Sequence, residues 1–423
     1  MCMEFRFDVH KIRKEFPSTN KKVNGNPVAI LDGPGGSQVP KMVVEKINDY
    51  MFNHNANEHG QFEPSKKTEE LIMEGRAVLG QFLGCSKDEI AFGPSSTNNN
   101  FMLALAIGRD LEEGDEIIIT DMDHTCNRSP WLMLEERGAV VKSVRVDPNT
   151  CLLDEEDFKN KLSNKTKVVA LNYASNAVGT ITDVKKLIKM AHEVGALTVV
   201  DAVHYAPHKP IDVKDIDTDF LLCSAYKFFG PHLGVLYAKK EVMEKIRTIR
   251  VMADDIEEPP YKFQTGTPCY ELICGAAKAV KFISWIGKDY EEYFKSELEG
   301  LLGKRRSIVA GMLAIDKYEE ELAEYLRCEL EKINGVTLYG APANHPKTST
   351  VSFTHDKINS MEICEELAEE GIYGWNGDFY AIKLVNDVLG LTDRRGLVRI
   401  GFAPYNTMDD VKRTVKVLKD ILE

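Results

Sequence analysis

Long apolar runs are missing from this 423-residue chain. No stretch approaches the roughly 18–20 residues that a membrane-spanning helix needs. Basic charge is short as well: 53 Lys and Arg stand against 66 Asp and Glu, a formal net charge of −13. That deficit argues against nonspecific nucleic-acid binding, which needs clustered cations to displace counterions. It carries no argument about substrate charge, because a few local cations decide the field inside a cleft. The nine cysteines are odd in number and scattered without a CxxC pair, so neither a disulfide framework nor a structural zinc site is indicated. The opening residues Met1 to Asp8 lack the apolar core of a signal peptide, and a cytoplasmic, globular protein is expected. Internal repeats and low-complexity linkers are absent. So are GxxxxGK[ST], GxGxxG and HExxH; His192-Glu193 is followed by Ala196 where a second His would stand. P-loop, Rossmann and metalloprotease readings lose their main support.

What is present is alternation. Between about residues 86 and 240, seven short β-branched runs are separated by helical patterns such as Val184–Val194. They lie at Glu89–Phe92, Glu116–Thr120, Val140–Val146, Val168–Leu171, Leu197–Val200, Phe220–Cys223 and Gly234–Tyr237. Buried runs joined by helices predict a mostly parallel seven-stranded sheet in an α/β fold. After about residue 280 the pattern changes to long charged helices (Lys288–Leu302, Tyr318–Ile333) and short strands at Val336–Tyr339, Ser349–Phe353 and Leu397–Ile400. Further helices follow at Met361–Glu370 and Met408–Leu422. The expected division is a large domain over 28–282 and a smaller α+β domain over 283–423, with residues 1–27 packing on the latter. Gly33-Pro-Gly-Gly36 reads as a turn.

Ligands in such sheets sit beyond the carboxyl ends of the strands, so polar residues there come first. Ser95-Ser96-Thr97 opens an apolar helix running from Phe101, and either caps it or cradles a phosphate. Asp201 ends an apolar run with His204 three residues on; it either caps the next segment or faces a cationic ring nitrogen. Lys227 stands among Tyr226, Phe228 and Phe229, either as a snorkelling surface lysine or as a buried amine able to form a Schiff base. His124 follows the Ile117–Thr120 run in Asp121-Met-Asp-His124.

Taken together, in this order, these segments resemble the fold-type I, class V aminotransferase family of pyridoxal phosphate (PLP) enzymes. Within it the chain is most similar to the cysteine desulfurase and selenocysteine lyase group, from about Leu31 to Leu422. The resemblance implies a cofactor, PLP, with Lys227 as its covalent anchor and proton shuttle and Asp201 as partner of the pyridine nitrogen. It makes His124 the ring that stacks on the cofactor. Asn176 and His204 would lie near the phenolic oxygen, and Ser96, Thr97, Ser224 and Tyr226 around the phosphate. Thr267 would reach the phosphate of a second subunit, which implies a homodimer. Arg399 would grip the substrate carboxylate, and His59 would lie on the substrate side.

One part of the family pattern fails. Desulfurases carry a cysteine on a mobile loop, whereas the matching stretch here is Gly374-Trp-Asn-Gly-Asp-Phe-Tyr380, with Tyr380 where the thiol would be and Trp375 in place of an arginine. A phenol with a pKa near ~10 forms no persulfide. Cys364 lies on a predicted helix and reads as a small hydrophobe, and nothing marks Cys126 as a sulfur acceptor. Tyr380 and Asp378 either line the substrate pocket, donate a proton, or pack the loop. The expectation is a PLP-dependent lyase for a small α-amino acid, with an aminotransferase, an epimerase or a non-catalytic paralogue as the alternatives.

Overall fold

A computed structural model describes residues 5–247, 249 and 259–423. The seven runs form one sheet: β1 (Ile90–Gly93), β2 (Glu116–Thr120), β3 (Val140–Val144), β4 (Thr166–Asn172), β5 (Leu197–Asp201), β6 (Phe220–Ser224) and β7 (Gly234–Ala238). Their spatial order is β1-β7-β6-β5-β4-β2-β3, and β7 alone runs antiparallel to its neighbours. The central strands are continuous apolar runs because both faces are covered; all five residues of β6 and of β7 are buried. β3 departs from the expectation of burial. It is one of the two edge strands, and Val140 remains 44% exposed.

Helices fill both faces. Relevant to the site are α1 (Glu63–Leu83), α2 (Ser96–Ile107), α3 (Val184–Glu193) and α4 (Tyr270–Gly287). The helix expected from Phe101 begins five residues earlier, at Ser96, because Ser95 caps it by accepting from Asn98 N at 3.0 Å.

The C-terminal domain holds an antiparallel sheet of β8 (Val336–Tyr339), β9 (Thr350–His355), β10 (Trp375–Gly377) and β11 (Leu397–Gly401), in the order β8-β9-β11-β10. Against it pack α5 (Gly303–Leu330), α6 (Ser360–Glu369) and α7 (Met408–Leu422). Phe353, Val398, Ile400, Leu322 and Leu326 are fully buried between them, each contributing roughly 1.5–3 kcal/mol. N-terminal residues contact both this domain and α4, where Phe16 packs edge-on to Phe282. Arg13 donates to Asp410 at 2.7 Å, and Ala29–Ile30 pairs in parallel with Ile372–Tyr373.

Two helix expectations need correction. Lys288–Leu302 is a train of turns: Tyr290, Phe294 and Leu298 are buried at helical spacing, but i→i−3 bonds interrupt the i→i−4 ones, and Gly300 adopts φ +79°. The helix expected from Tyr318 begins at Gly303 and runs 28 residues. Among the described residues, no helix is long and apolar enough to cross a membrane, and no cluster of His, Cys, Asp and Glu could hold a metal ion.

Candidate active site

A cavity of about 830 Å³ opens beyond the carboxyl ends of β4 and β5, with the C-terminal domain closing one side. Lys227 enters it from the short turn after β6. The two phenylalanines that follow hold the turn. Phe228 is buried against Phe82, and Phe229 against Phe16 and Phe282. The Lys227 amine is itself buried and donates to the carbonyl of Pro34 in the Gly33–Gly36 turn. Burial, seconded by the nearby Arg399 charge, brings its pKa down to about 7. At neutral pH a large fraction is therefore the nucleophilic free amine.

Asp201 is the last residue of β5. Its Oδ1 accepts from Val203 N at 2.9 Å, and the Cys126 thiol donates to Oδ2 at 3.5 Å. Burial raises its pKa, against these hydrogen bonds and the Lys227 charge. His124 follows β2. Its Nδ1 accepts from Cys126 N at 3.0 Å, and burial, with the Lys227 and Arg399 charges, holds the ring neutral with a pKa of about 4.

The N-terminus of the twelve-residue α2 points its first turn at the cavity, where Ser96 and Thr97 are lining residues. Ser224 lies one layer beneath, its hydroxyl donating to Ser96 Oγ at 2.8 Å. The helix comes this close to the sheet only because residue 234 is glycine; a methyl group there would sit 2.3 Å from the Ser95 carbonyl carbon. Tyr226 also lines the cavity, stacked on His232.

Arg399 reaches in from β11. It donates to Asp32 Oδ1 at 3.1 Å and to the Asn176 carbonyl at 3.0 Å, and its guanidinium lies 4.0 Å from the centre of the Phe379 ring. Its Nε is buried without a partner among the described residues. Asn176 turns its amide outward to donate to Phe379 O at 2.8 Å. His204 lines the wall with its Nε2 between Thr348 and Thr350, at 3.1 and 2.9 Å.

Three expected site residues do not line this cavity: Ser224, which lies beneath it, and Thr267 and His59, which lie away from it. Thr267 is exposed in the segment before α4, and His59 is exposed with φ +69°, its Nδ1 3.5 Å from Glu69. Asp378 lines the cavity and also ties its own loop: Oδ1 accepts from Tyr380 N and Oδ2 from Asn386 Nδ2. Tyr380 does line the mouth, with its carbonyl accepting from Thr125 N at 2.7 Å and Thr125 Oγ1 at 2.5 Å. Asp32 was not foreseen. The signal existed, since it ends the Val28–Leu31 apolar run just as Asp201 ends its own. Phe379 and Thr125 carried no comparable sign, because they act through contacts distant in sequence.

PLP fits this donor set. It requires a buried amine with a lowered pKa, an acid for the ring nitrogen, a flat uncharged ring, and a helix N-terminus with hydroxyls for phosphate. The orphaned buried Arg399 Nε and His204 Nδ1 leave polar capacity beside the same cavity.

Comparison with known proteins agrees. The model of the family described as Aminotransferase class-V matches residues 29–305 and 302–414. A probable cysteine desulfurase of Halalkalibacterium halodurans is 30% identical over 430 residues, covering 98% of each chain. A cysteine desulfurase of Haloferax volcanii is 30% identical over 439 residues, covering 97% of this chain and 96% of its own. The apo structure of a cysteine desulfurase from Thermococcus onnurineus superposes with a TM-score of 0.84 at 27% identity, covering 100% of this chain and 99% of its own. From strand ends, buried amine and family match together, the chain belongs to the class V aminotransferase family and is a cysteine desulfurase-like PLP enzyme.

Proposed function

We propose that the protein is a lyase that cleaves a C–S or related bond in a small α-amino acid without carrying the sulfur on a thiol of its own. The observation behind this reading is the composition of the cavity mouth. Trp375 and Tyr380, 55% and 68% exposed, stand there, and the loop between them contains no cysteine. Among the described residues the one thiol lining the cavity is Cys126. It is turned onto Asp201, and burial holds its pKa well above the ordinary thiol value. Such a thiol is neither exposed nor ionised enough to attack sulfur. Cys364 packs against the hydrophobic core with its pKa raised by burial to about 12.

Bound PLP supplies an electron sink for the pair released at the substrate Cα. The residues do the rest. Lys227 would be the covalent anchor and, as a buried amine with a lowered pKa, the base for the Cα proton. Asp201, which burial alone pushes toward its neutral form, is ionised by pairing with a cationic ring nitrogen. His124 packs on the ring face as an uncharged surface. Ser96, Thr97, Tyr226 and the α2 N-terminus would hold the phosphate, with Ser224 orienting Ser96; His204 would serve the phenolic oxygen, and Asn176, whose amide donates to Phe379 O, would do so only through its remaining N–H. Arg399 offers its unpartnered Nε edge to the substrate carboxylate, and Asp32 and Phe379 hold that fork in place. Lys227 would take the Cα proton, and a Cβ substituent would leave with the electrons of its bond and a proton. Water then completes release as pyruvate and ammonia.

Thr267 and His59, exposed outside the chain's own cavity, are assigned to a second subunit's site in a homodimer. The division at residues 28–282 and 283–423, with 1–27 on the C-terminal domain, is part of the same reading. The test is a screen of amino acids bearing sulfur or selenium, without any keto acid, with products identified by mass spectrometry. Pyruvate is expected. A strict requirement for a keto acid would replace this reading with an aminotransferase, change of optical rotation alone with an epimerase, and alanine with a protein-bound persulfide with thiol carriage.

A further inference from the structure

Behind the cavity wall lies a buried pair of hydroxyls, Thr348 and Thr350, that the reaction above leaves unused and that touches His204. His204 is 3% exposed, and Thr348 and Thr350, contributed by the C-terminal sheet and the residues leading into it, are each 2% exposed. Thr348 Oγ1 donates to Thr350 Oγ1 at 3.2 Å, and both hydroxyl oxygens lie within 3.1 Å of His204 Nε2. Arg327 fixes the pair by donating to both of their carbonyls, at 3.0 and 3.2 Å. His204 Nδ1 has no partner among the described residues, although the ring lines the cavity.

Counting protons decides the arrangement. The charged groups facing His204 are cationic or potentially so, namely Lys227, Arg399 and the neighbouring His208, whose ring lies 5.1 Å away; with burial they keep His204 neutral. The acid behind them, Glu319, is engaged by His208 at 2.6 Å and by Ser349 at 3.1 Å. A neutral imidazole carries one ring proton, and a hydroxyl carries one. With the Thr348 proton given to Thr350, the Thr350 proton has Nε2 as its acceptor at 2.9 Å. Nε2 is then bare, and the ring proton lies on Nδ1.

We infer that Thr348 and Thr350 form a two-hydroxyl relay that fixes His204 as its Nδ1–H tautomer, so that the ring donates to an anionic oxygen in the cavity, the phenolate of the cofactor. The threonines are positioning residues. Through them the C-terminal sheet sets the electronics of a cofactor bound at the ends of the large sheet. The inference rests on the PLP reading only for the identity of the anionic oxygen.

The test has two readouts, so that failure of the relay and failure of the lyase reading are distinguishable. In apo protein labelled with ¹⁵N-histidine, long-range ¹H–¹⁵N correlation is expected to show His204 as the Nδ1–H form, assigned by its loss in His204→Gln. Thr350→Val, which keeps the shape and removes the hydroxyl, is expected to abolish that preference, and Thr350→Ser to restore it. In the holoenzyme, losing a donor to the phenolate disfavours the more anionic form, so the pH midpoint of the cofactor's visible absorbance is expected to rise by about one unit in Thr350→Val and to return in Thr350→Ser. An Nε2–H form in the unmodified protein overturns the relay even if Thr350→Val does not fold. So does a folded Thr350→Val that moves neither readout.

Discussion

The floor and the mouth of the cavity are built by opposite means. The floor (Asp201, Lys227 and the first turn of α2) is held by buried strand ends, by local bonds such as Asp201 to Val203 and Ser95 to Asn98, and by side chains from other elements, Ser224 under Ser96 and Cys126 on Asp201. The mouth (Trp375 to Tyr380) is exposed at its two ends and half-buried between them, and Phe379 and Tyr380 are successive non-glycine residues in the left-handed region, at φ +55° and +60°. Each such residue costs on the order of 1–2 kcal/mol. Three hydrogen bonds to distant residues hold the strained turn: two from Thr125 to the Tyr380 carbonyl and one from Asn176 to Phe379 O. On the proposed function, cofactor chemistry would stand on packing, and substrate selection on a strap held across the interface with the C-terminal domain.

If that contrast is correct, damage to the floor abolishes chemistry while damage to the mouth changes affinity. The largest effect belongs to Lys227→Ala, which removes anchor and base together. Turnover is expected to fall by at least roughly 10⁴-fold, the upper range for a proton-transfer group, as read by product release at saturating substrate. Asp201→Asn leaves a cationic ring nitrogen without its charge partner; breaking a buried pair costs roughly 3–5 kcal/mol, so kcat is expected to drop roughly 10²–10³-fold. Arg399→Lys retains charge and loses the planar fork, and is expected to raise KM about 10-fold or more with a smaller change in kcat.

A pH experiment probes the floor in the apo protein. Lys227 loses its proton near pH 7 when folded and near 10.5 when unfolded. Between those values the unfolded chain binds the extra proton, so this group's contribution makes stability rise with pH across the window. Lys227→Met is therefore expected to stabilise apo protein by several kcal/mol at pH 6, with the gain shrinking steadily above pH 7, as measured by denaturant unfolding. A constant gain would show that the amine is not desolvated. The smallest effect is at the mouth. Thr125→Val removes one strap bond worth about 1 kcal/mol and is expected to speed proteolytic nicking near Tyr380 several-fold, with kcat nearly unchanged.

The same contrast explains what the sequence disclosed. Asp201, Lys227 and His124 follow strands whose apolar runs are unmistakable, so their position beyond a strand end could be read from local order. Ser95 and Ser96 showed a helix start, though the boundary was placed too late because hydroxyl residues in the first turn resemble a loop. The turns over 288–302 were mistaken for a helix because Tyr290, Phe294 and Leu298 keep its spacing. The mouth was least legible. Asp378 could be read as a pocket residue or as loop packing, and it is both, lining the cavity while binding Tyr380 N; the Phe379 ring over Arg399 depends on residues twenty apart meeting through β10 and β11. Asp32, which holds Arg399, lies 367 positions away.

The central claim is that Lys227, and no other amine, holds the cofactor. Borohydride reduction of the purified holoenzyme followed by peptide mass mapping tests it directly. The account predicts a single pyridoxyl-phosphate adduct on the peptide containing Lys227. An adduct on a different lysine, or none in protein that binds the cofactor, would contradict it.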